Sequence, residues 1–168
     1  ASFDSPINEV LAAGLIDLSG WKGDQDFYDP FCGSGTFSTE AYIKATGIHP
    51  QYWRKDFGFM HWNDYDPGLY NKILKKVLKP IVDTPHEIYA SDMEQYSMDA
   101  CKINMRYAKI SRRIHTTKEN FFQSKPKSEG GLILMNPPYD IRIPLGDTAS
   151  FYRDLGNKLH DDYKGFQA

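Results

Sequence analysis

An apolar run, Gly131-Leu-Ile-Leu-Met135, leads straight into Asn136-Pro-Pro-Tyr139. An apolar stretch without polar alternation suits a strand covered on both faces, which is the situation of a strand inside a parallel sheet. Prolines cannot donate to a strand ladder, so the strand must stop at Asn136. The rest of the chain agrees, because strand-like and helix-like segments alternate along it, as in a sheet with helices on both faces. At 168 residues and 40% apolar composition the chain has the material of one globular domain.

Ser5 and Pro6 read as a cap and first-turn pair, with Ile7, Leu11, Leu15 and Leu18 at helical spacing behind them. Residues 26–29 read as a strand ending at Pro30, and residues 36–45 as a helix. Residues 47–67 break the periodicity and carry Tyr52, Trp53, Phe57, Phe59, Trp62 and Tyr65; such a loop is functional or covers a core edge. A helix is expected over 69–82, with Leu69, Ile73, Val77 and Ile81 on one stripe and Lys72, Lys75, Lys76 and Lys79 around it. A second strand over 87–90 ends at Ser91-Asp92. A helix over 95–110 follows, with Tyr96, Ala100, Ile103 and Tyr107 in step, then a weak strand at 114–117 and the strong one at 131–135. The last helix spans about 150–163, with Phe151, Leu155 and Leu159 on one face and Gly165 beyond its end.

In such sheets ligands bind beyond the carboxyl ends of the strands. The chemically informative residues fall there: Asp29 to Gly35, Asp92, and Asn136 to Tyr139. The turn Asp29-Pro-Phe-Cys-Gly-Ser-Gly-Thr36 lacks the terminal Gly-Lys-Ser/Thr of a phosphate-binding loop. It also lacks the third glycine of a dinucleotide fingerprint, because Ser38 stands there, and the next strand-closing acid is distant. S-adenosylmethionine remains as the ligand that fits. Its amino-acid end needs a carboxylate and a close backbone, and its ribose needs an acid at the end of the next strand. Asp29, the Gly33/Gly35 pair and Asp92 meet those needs if residues 47–86 are an insertion. A purely structural glycine turn is the competing reading of this element.

Asn136-Pro-Pro-Tyr139 has a more specific meaning. Its side-chain and backbone carbonyls can converge on a planar NH2, whose lone pair is delocalised and nucleophilically weak. Accepting both hydrogen bonds would orient that nitrogen toward a methyl donor. Tyr139 would stack on a base extruded from its helix.

Together, Asp29-Pro-Phe-Cys-Gly-Ser-Gly-Thr36, Ser91-Asp92 and Asn136-Pro-Pro-Tyr139 resemble class I S-adenosylmethionine-dependent amino-methyltransferases. The closer resemblance is to the catalytic domain of THUMP-containing RNA guanine-N2 methyltransferases of the bacterial large-subunit rRNA type. It extends to Ser5–Ile16, Phe57–Trp62 with Tyr65-Asp66, and Glu119-Asn-Phe-Phe122. The resemblance implies a Rossmann-like α/β fold and methyl transfer to a guanine N2 in RNA, 23S rRNA above all, with no metal. It places Asp29, Pro30, Phe31, Cys32, Gly33 and Gly35 at the methionine end of the cofactor and Asp92 at the ribose. Met93, Asn120 and Phe121 fall beside the adenine, with Asn120 where relatives carry Asp. Asn136, Pro137, Pro138 and Tyr139 become the target-amine site.

A class I domain has more strands than the four counted here, so residues 1–168 are expected to be a partial catalytic domain. The sheet would stop after the fourth strand and its helix, with the THUMP module and remaining strands outside the chain. The net charge of -2 fits that expectation, because RNA affinity would reside mostly in the missing module. Cys32 and Cys101 form no Cys-x-x-Cys pair and suit a cytoplasmic protein, and no apolar run is long enough to span a membrane. Cys32 as a nucleophile is disfavoured against a small side chain in a tight turn. The lysines of 72–79 with Arg106, Lys109, Arg112 and Arg113 read as a solvated face before an RNA contact. The alternatives are N6-adenine methylation of DNA or RNA, methylation of a protein glutamine amide, and a non-catalytic RNA-docking scaffold.

Overall fold

The computed structural model describes residues 7–49, 51–52, 54–78, 80–138 and 148–168. Among the described residues, five α-helices and five strands follow one another: α1 (Glu9–Leu18), β1 (Phe27–Asp29), α2 (Thr36–Thr46), α3 (Pro67–Val77), β2 (Ile88–Asp92), α4 (Gln95–Tyr107), β3 (His115–Lys118), β4 (Gly131–Ile133), α5 (Thr148–Asp162) and β5 (Phe166–Gln167). The strands form one parallel sheet in the order β3-β2-β1-β4-β5. Phe27 lies between Ile88 and Leu132, which puts β1 at the centre and makes its end the crossing point of the topology.

Both faces of the sheet are covered. On one, Phe27, Ile88 and Leu132 pack with Ala12 and Ile16 of α1, Phe37 and Ala41 of α2, and Met98, Cys101 and Met105 of α4. On the other, Tyr28 and Ile133 pack with Phe121, Leu155 and Tyr163. Burying each of the large aliphatic or aromatic side chains contributes about 1.5–3 kcal/mol. The aromatic second layer is tied down by polar bonds: Tyr28 OH meets Ser128 Oγ at 2.9 Å, and Tyr163 OH meets Ser124 Oγ at 2.9 Å.

The structure corrects several expectations. A fifth strand exists, so the sheet does not stop after β4. Gly165, at φ +88°, turns the chain out of α5, and Phe166 pairs at once with Gly131. The cap of α1 is Asn8, whose side chain accepts from the amides of Val10 and Leu11; Ser5 and Pro6 lie outside the described residues. Its buried face is Ala12 and Ile16, while Leu18 is 86% exposed. On α4 the core is Met98, Cys101 and Met105, whereas Tyr107 is 80% exposed.

Helix α3 starts where Asp66 caps and Pro67 occupies the first turn, but it ends at Val77 rather than 82. Pro80 explains this, since its ring clashes with a helical carbonyl at position 76 and its nitrogen cannot donate. The apolar stripe Leu69, Ile73 and Val77 is exposed. The described aromatic residues ahead of it do not line the main cavity. Phe57, Phe59, Tyr65 and Tyr70 pack on one another, with ring centroids 5.6–6.1 Å apart along the chain of contacts. No helix among the described residues is long and apolar enough to cross a membrane.

Candidate active site

The carboxyl ends of β1, β2 and β4 open onto one cavity of about 360 Å³. That lies within the range of small-molecule sites. Its wall includes Pro30, Phe31, Cys32 and Gly33 after β1, Asp92 and Met93 after β2, Asn120 and Phe121 after β3, and Asn136 and Pro138 after β4. Residues far apart in the sequence, singled out for cofactor and amine chemistry, thus share one space. Pro137 follows Asn136 but does not line the cavity, and Tyr139 lies outside the described residues.

The glycine turn is fastened to β2. Asp92 Oδ2 accepts the Gly33 amide at 3.0 Å, and Asp92 Oδ1 accepts the Glu94 amide at 2.9 Å. The Cys32 amide donates to Ser91 O at 2.9 Å. Asp92 therefore shapes the loop it was expected to work beside. Carboxylate oxygens carry more lone pairs than these bonds use, so it can still receive hydroxyls.

The two glycines of the turn do different things. Gly33 has φ +53°, and a Cβ there would meet nothing within 4 Å, so the backbone borders open space. Gly35 has φ +85°, does not line the cavity, and a Cβ there would lie 2.7 Å from Cys101 Sγ. Gly35 is thus a packing glycine that lets α2 approach α4.

Asp29 is fully buried and also absent from the cavity wall. Its Oδ2 accepts the Ser38 amide at 3.2 Å and the Ser38 hydroxyl at 2.7 Å. Among the described residues its Oδ1 is buried without a hydrogen-bond partner. Burial raises its carboxyl from 3.8 to about 7, against the lowering effect of the Ser38 bonds and with a smaller push from Asp92.

Cys32 is buried, with its sulfur 3.8 Å from Met98 Sδ. The hydrogen bond with Cys101, followed by burial, pushes its thiol far above the ordinary value. A thiol held protonated is a poor nucleophile, consistent with a packing role. Asn120 Oδ1 caps the turn after β3 by accepting the Phe122 amide at 3.0 Å, so the Asn120 side chain is held in place at the cavity wall. The cavity has a wall the sequence did not reveal, made by Phe151 of α5. Its ring centroid is 5.5 Å from Phe122 and 6.4 Å from Phe31. In sequence Phe151 reads as one more residue on the core stripe of a helix, and nothing local marks it as facing a ligand space. No group of three or more His, Cys, Asp or Glu side chains that could hold a metal occurs among the described residues.

Residues 1–167 match the profile described as RMKL-like, methyltransferase domain. The chain belongs to this family. Within it, slr0064 of Synechocystis, which carries a provisional RNA methyltransferase name, is 33% identical over 98% of this chain and 44% of its own length. Ribosomal RNA large subunit methyltransferase K/L of Shewanella loihica is 33% identical over 98% of this chain and 24% of its own length. The chain therefore spans less than half of either relative. Among solved structures, SMU.472 complexed with S-adenosylhomocysteine superposes with a TM-score of 0.82 at 29% identity, covering 92% of this chain and 41% of that one. The RMKL-like methyltransferase domain thus has the Rossmann-like α/β fold expected from the sequence.

Proposed function

We propose that this domain uses S-adenosylmethionine to methylate an exocyclic base amine in RNA, the N2 of a guanine in large-subunit rRNA. The observation that carries the reading is the single cavity joining the glycine turn, Asp92 and the Asn136-Pro138 end of β4. The residues fit the cofactor: the unpartnered Oδ1 of Asp29 lies buried beside the turn, and the open space at Gly33 would be filled by any side chain there.

The cofactor supplies an electrophilic methyl group on a sulfonium centre. Asp29 Oδ1 would receive the ammonium of its amino-acid end, and the amino end of α2, whose Ser38 amide already donates to Asp29 Oδ2, would favour the neighbouring carboxylate. Gly33 would let the backbone come close, and Asp92 would accept the ribose hydroxyls. Met93 and Phe121 would border the adenine, and Asn120 would supply an amide at its amine. The Asn136 side-chain carbonyl and the Pro137 backbone carbonyl accept hydrogen bonds from the target NH2 and hold its nitrogen toward the donor methyl. Pro138 stiffens this carbonyl pair. Desolvation by the aromatic wall of Phe31, Phe122 and Phe151 strengthens those bonds. Affinity for RNA comes mostly from a THUMP-type module outside residues 1–168, and the domain works in the cytoplasm.

The test is incubation with RNA and isotopically labelled S-adenosylmethionine, followed by nucleoside mass spectrometry. The proposal expects N2-methylguanosine. N6-methyladenosine would reassign the acceptor, and a chain that binds S-adenosylhomocysteine but methylates no nucleoside would point to a docking scaffold.

A further inference from the structure

Ser38 has no place in the mechanism above, yet it is fully buried and spends both of its donors on Asp29. The two bonds converge on the same oxygen, Oδ2. That fixes the carboxyl plane and leaves Oδ1, buried behind the turn that lines the cavity, as the oxygen without a partner. A buried carboxyl with one oxygen doubly bonded and the other unpartnered has two acceptable states. It can hold a proton on Oδ1, or it can be a carboxylate when a cation reaches Oδ1. We infer that Ser38 is a positioning residue whose hydroxyl holds Asp29 so that entry of the ligand's ammonium group is coupled to release of one proton from Oδ1. This rests on the cofactor reading given above and adds to it a proton-linked control of occupancy.

Among the described residues, the surroundings supply no other cation to do the ammonium's work. From the end of β2, Asp92 adds repulsion. From α4, Cys101 faces Cys32, whose thiol is held protonated. Strand β4 (Gly131–Ile133) carries no titratable side chain. Asp29 also borders a second cavity of about 20 Å³, lined in part by Glu119, Lys125, Lys127 and His115. There Lys127 pairs with Glu119, Lys125 with Asp162, and His115 with Glu87. Burial holds the Asp29 carboxyl near 7, so its state changes in the physiological range.

The test is calorimetric titration of the 168-residue chain with S-adenosylhomocysteine between pH 5.5 and 8.5, with 5′-methylthioadenosine as a ligand that keeps the nucleoside but lacks the ammonium. The expected result is affinity for S-adenosylhomocysteine that falls about tenfold per pH unit below pH 7, with proton release in buffers of differing ionisation enthalpy, and methylthioadenosine affinity independent of pH. Ser38→Ala should move the midpoint up by about one to two pH units, because the carboxylate loses a donor, and Ser38→Thr should restore it. A flat profile for S-adenosylhomocysteine, the same slope for both ligands, or an unmoved midpoint in Ser38→Ala would overturn the inference. Binding of neither ligand at any pH would instead overturn the cofactor reading on which it rests.

Discussion

Gly35→Ala separates packing from ligand contact in the glycine turn. Two costs add at this position. An alanine at φ +85° enters the left-handed region, which costs about 1–2 kcal/mol. Its Cβ would also stand 2.7 Å from Cys101 Sγ and 3.2 Å from Met105 Cε, both fully buried, and overpacking of that kind costs about 1–3 kcal/mol. The sum, about 2–5 kcal/mol, is a large share of an ordinary domain's stability. Urea unfolding followed by circular dichroism measures it. In a Cys101→Ala background the close sulfur is gone and only the flexible end of Met105 remains near, so the same substitution should lose most of its overpacking cost, a coupling of about 1–2 kcal/mol. Gly33→Ala is the comparison, since nothing lies within 4 Å of its Cβ. It should cost about 1–2 kcal/mol of stability while weakening S-adenosylhomocysteine binding. Equal costs at both glycines, or no relief from Cys101→Ala, would refute the packing assignment.

Asp92→Ala should weaken S-adenosylhomocysteine binding by about 1–3 kcal/mol and speed amide exchange at Gly33, whose hydrogen-bond acceptor it removes; calorimetry and hydrogen exchange read the two effects. The Asp29 carboxyl is raised in the fold, so the folded chain holds its proton more tightly than the unfolded chain. Its contribution is present below about pH 4 and is lost as pH rises toward about 7, an overall drop of roughly 4 kcal/mol. Asp29→Asn should therefore flatten the fall in stability seen by urea titration between pH 5 and 8, and be the more stable protein at pH 8. Tyr163→Phe removes the bond to Ser124 inside the aromatic layer and should cost about 1 kcal/mol in the same unfolding assay.

The order of elements and the position of the site were legible because they follow from strong local signals. The run into Asn136 reads as a buried strand, and β4 is that strand, but its ladder closes at Ile133, ahead of the prolines expected to end it. Asp92 and the Asp29–Gly33 turn fall at strand ends for the same topological reason. What was not legible depends on neighbours. Which face of α4 is buried is decided by α2 and the sheet, and Tyr96 and Tyr107 fall on the outer side although their spacing is helical. The two-residue β5 has no pattern of its own and exists because Gly165 aims it at β4. Gly33 and Gly35 look equivalent in sequence, and only the nearness of Cys101 tells them apart. The early end of α3 was available in the sequence, at Pro80.

The most direct test of the account is Asn136→Ala, with methyl transfer to RNA and S-adenosylhomocysteine affinity measured on the same preparation. If the end of β4 holds the target amine while the glycine turn and Asp92 hold the cofactor, transfer is abolished and the dissociation constant stays unchanged. Persistent transfer, or a loss of cofactor affinity that matches the loss of transfer, would contradict it.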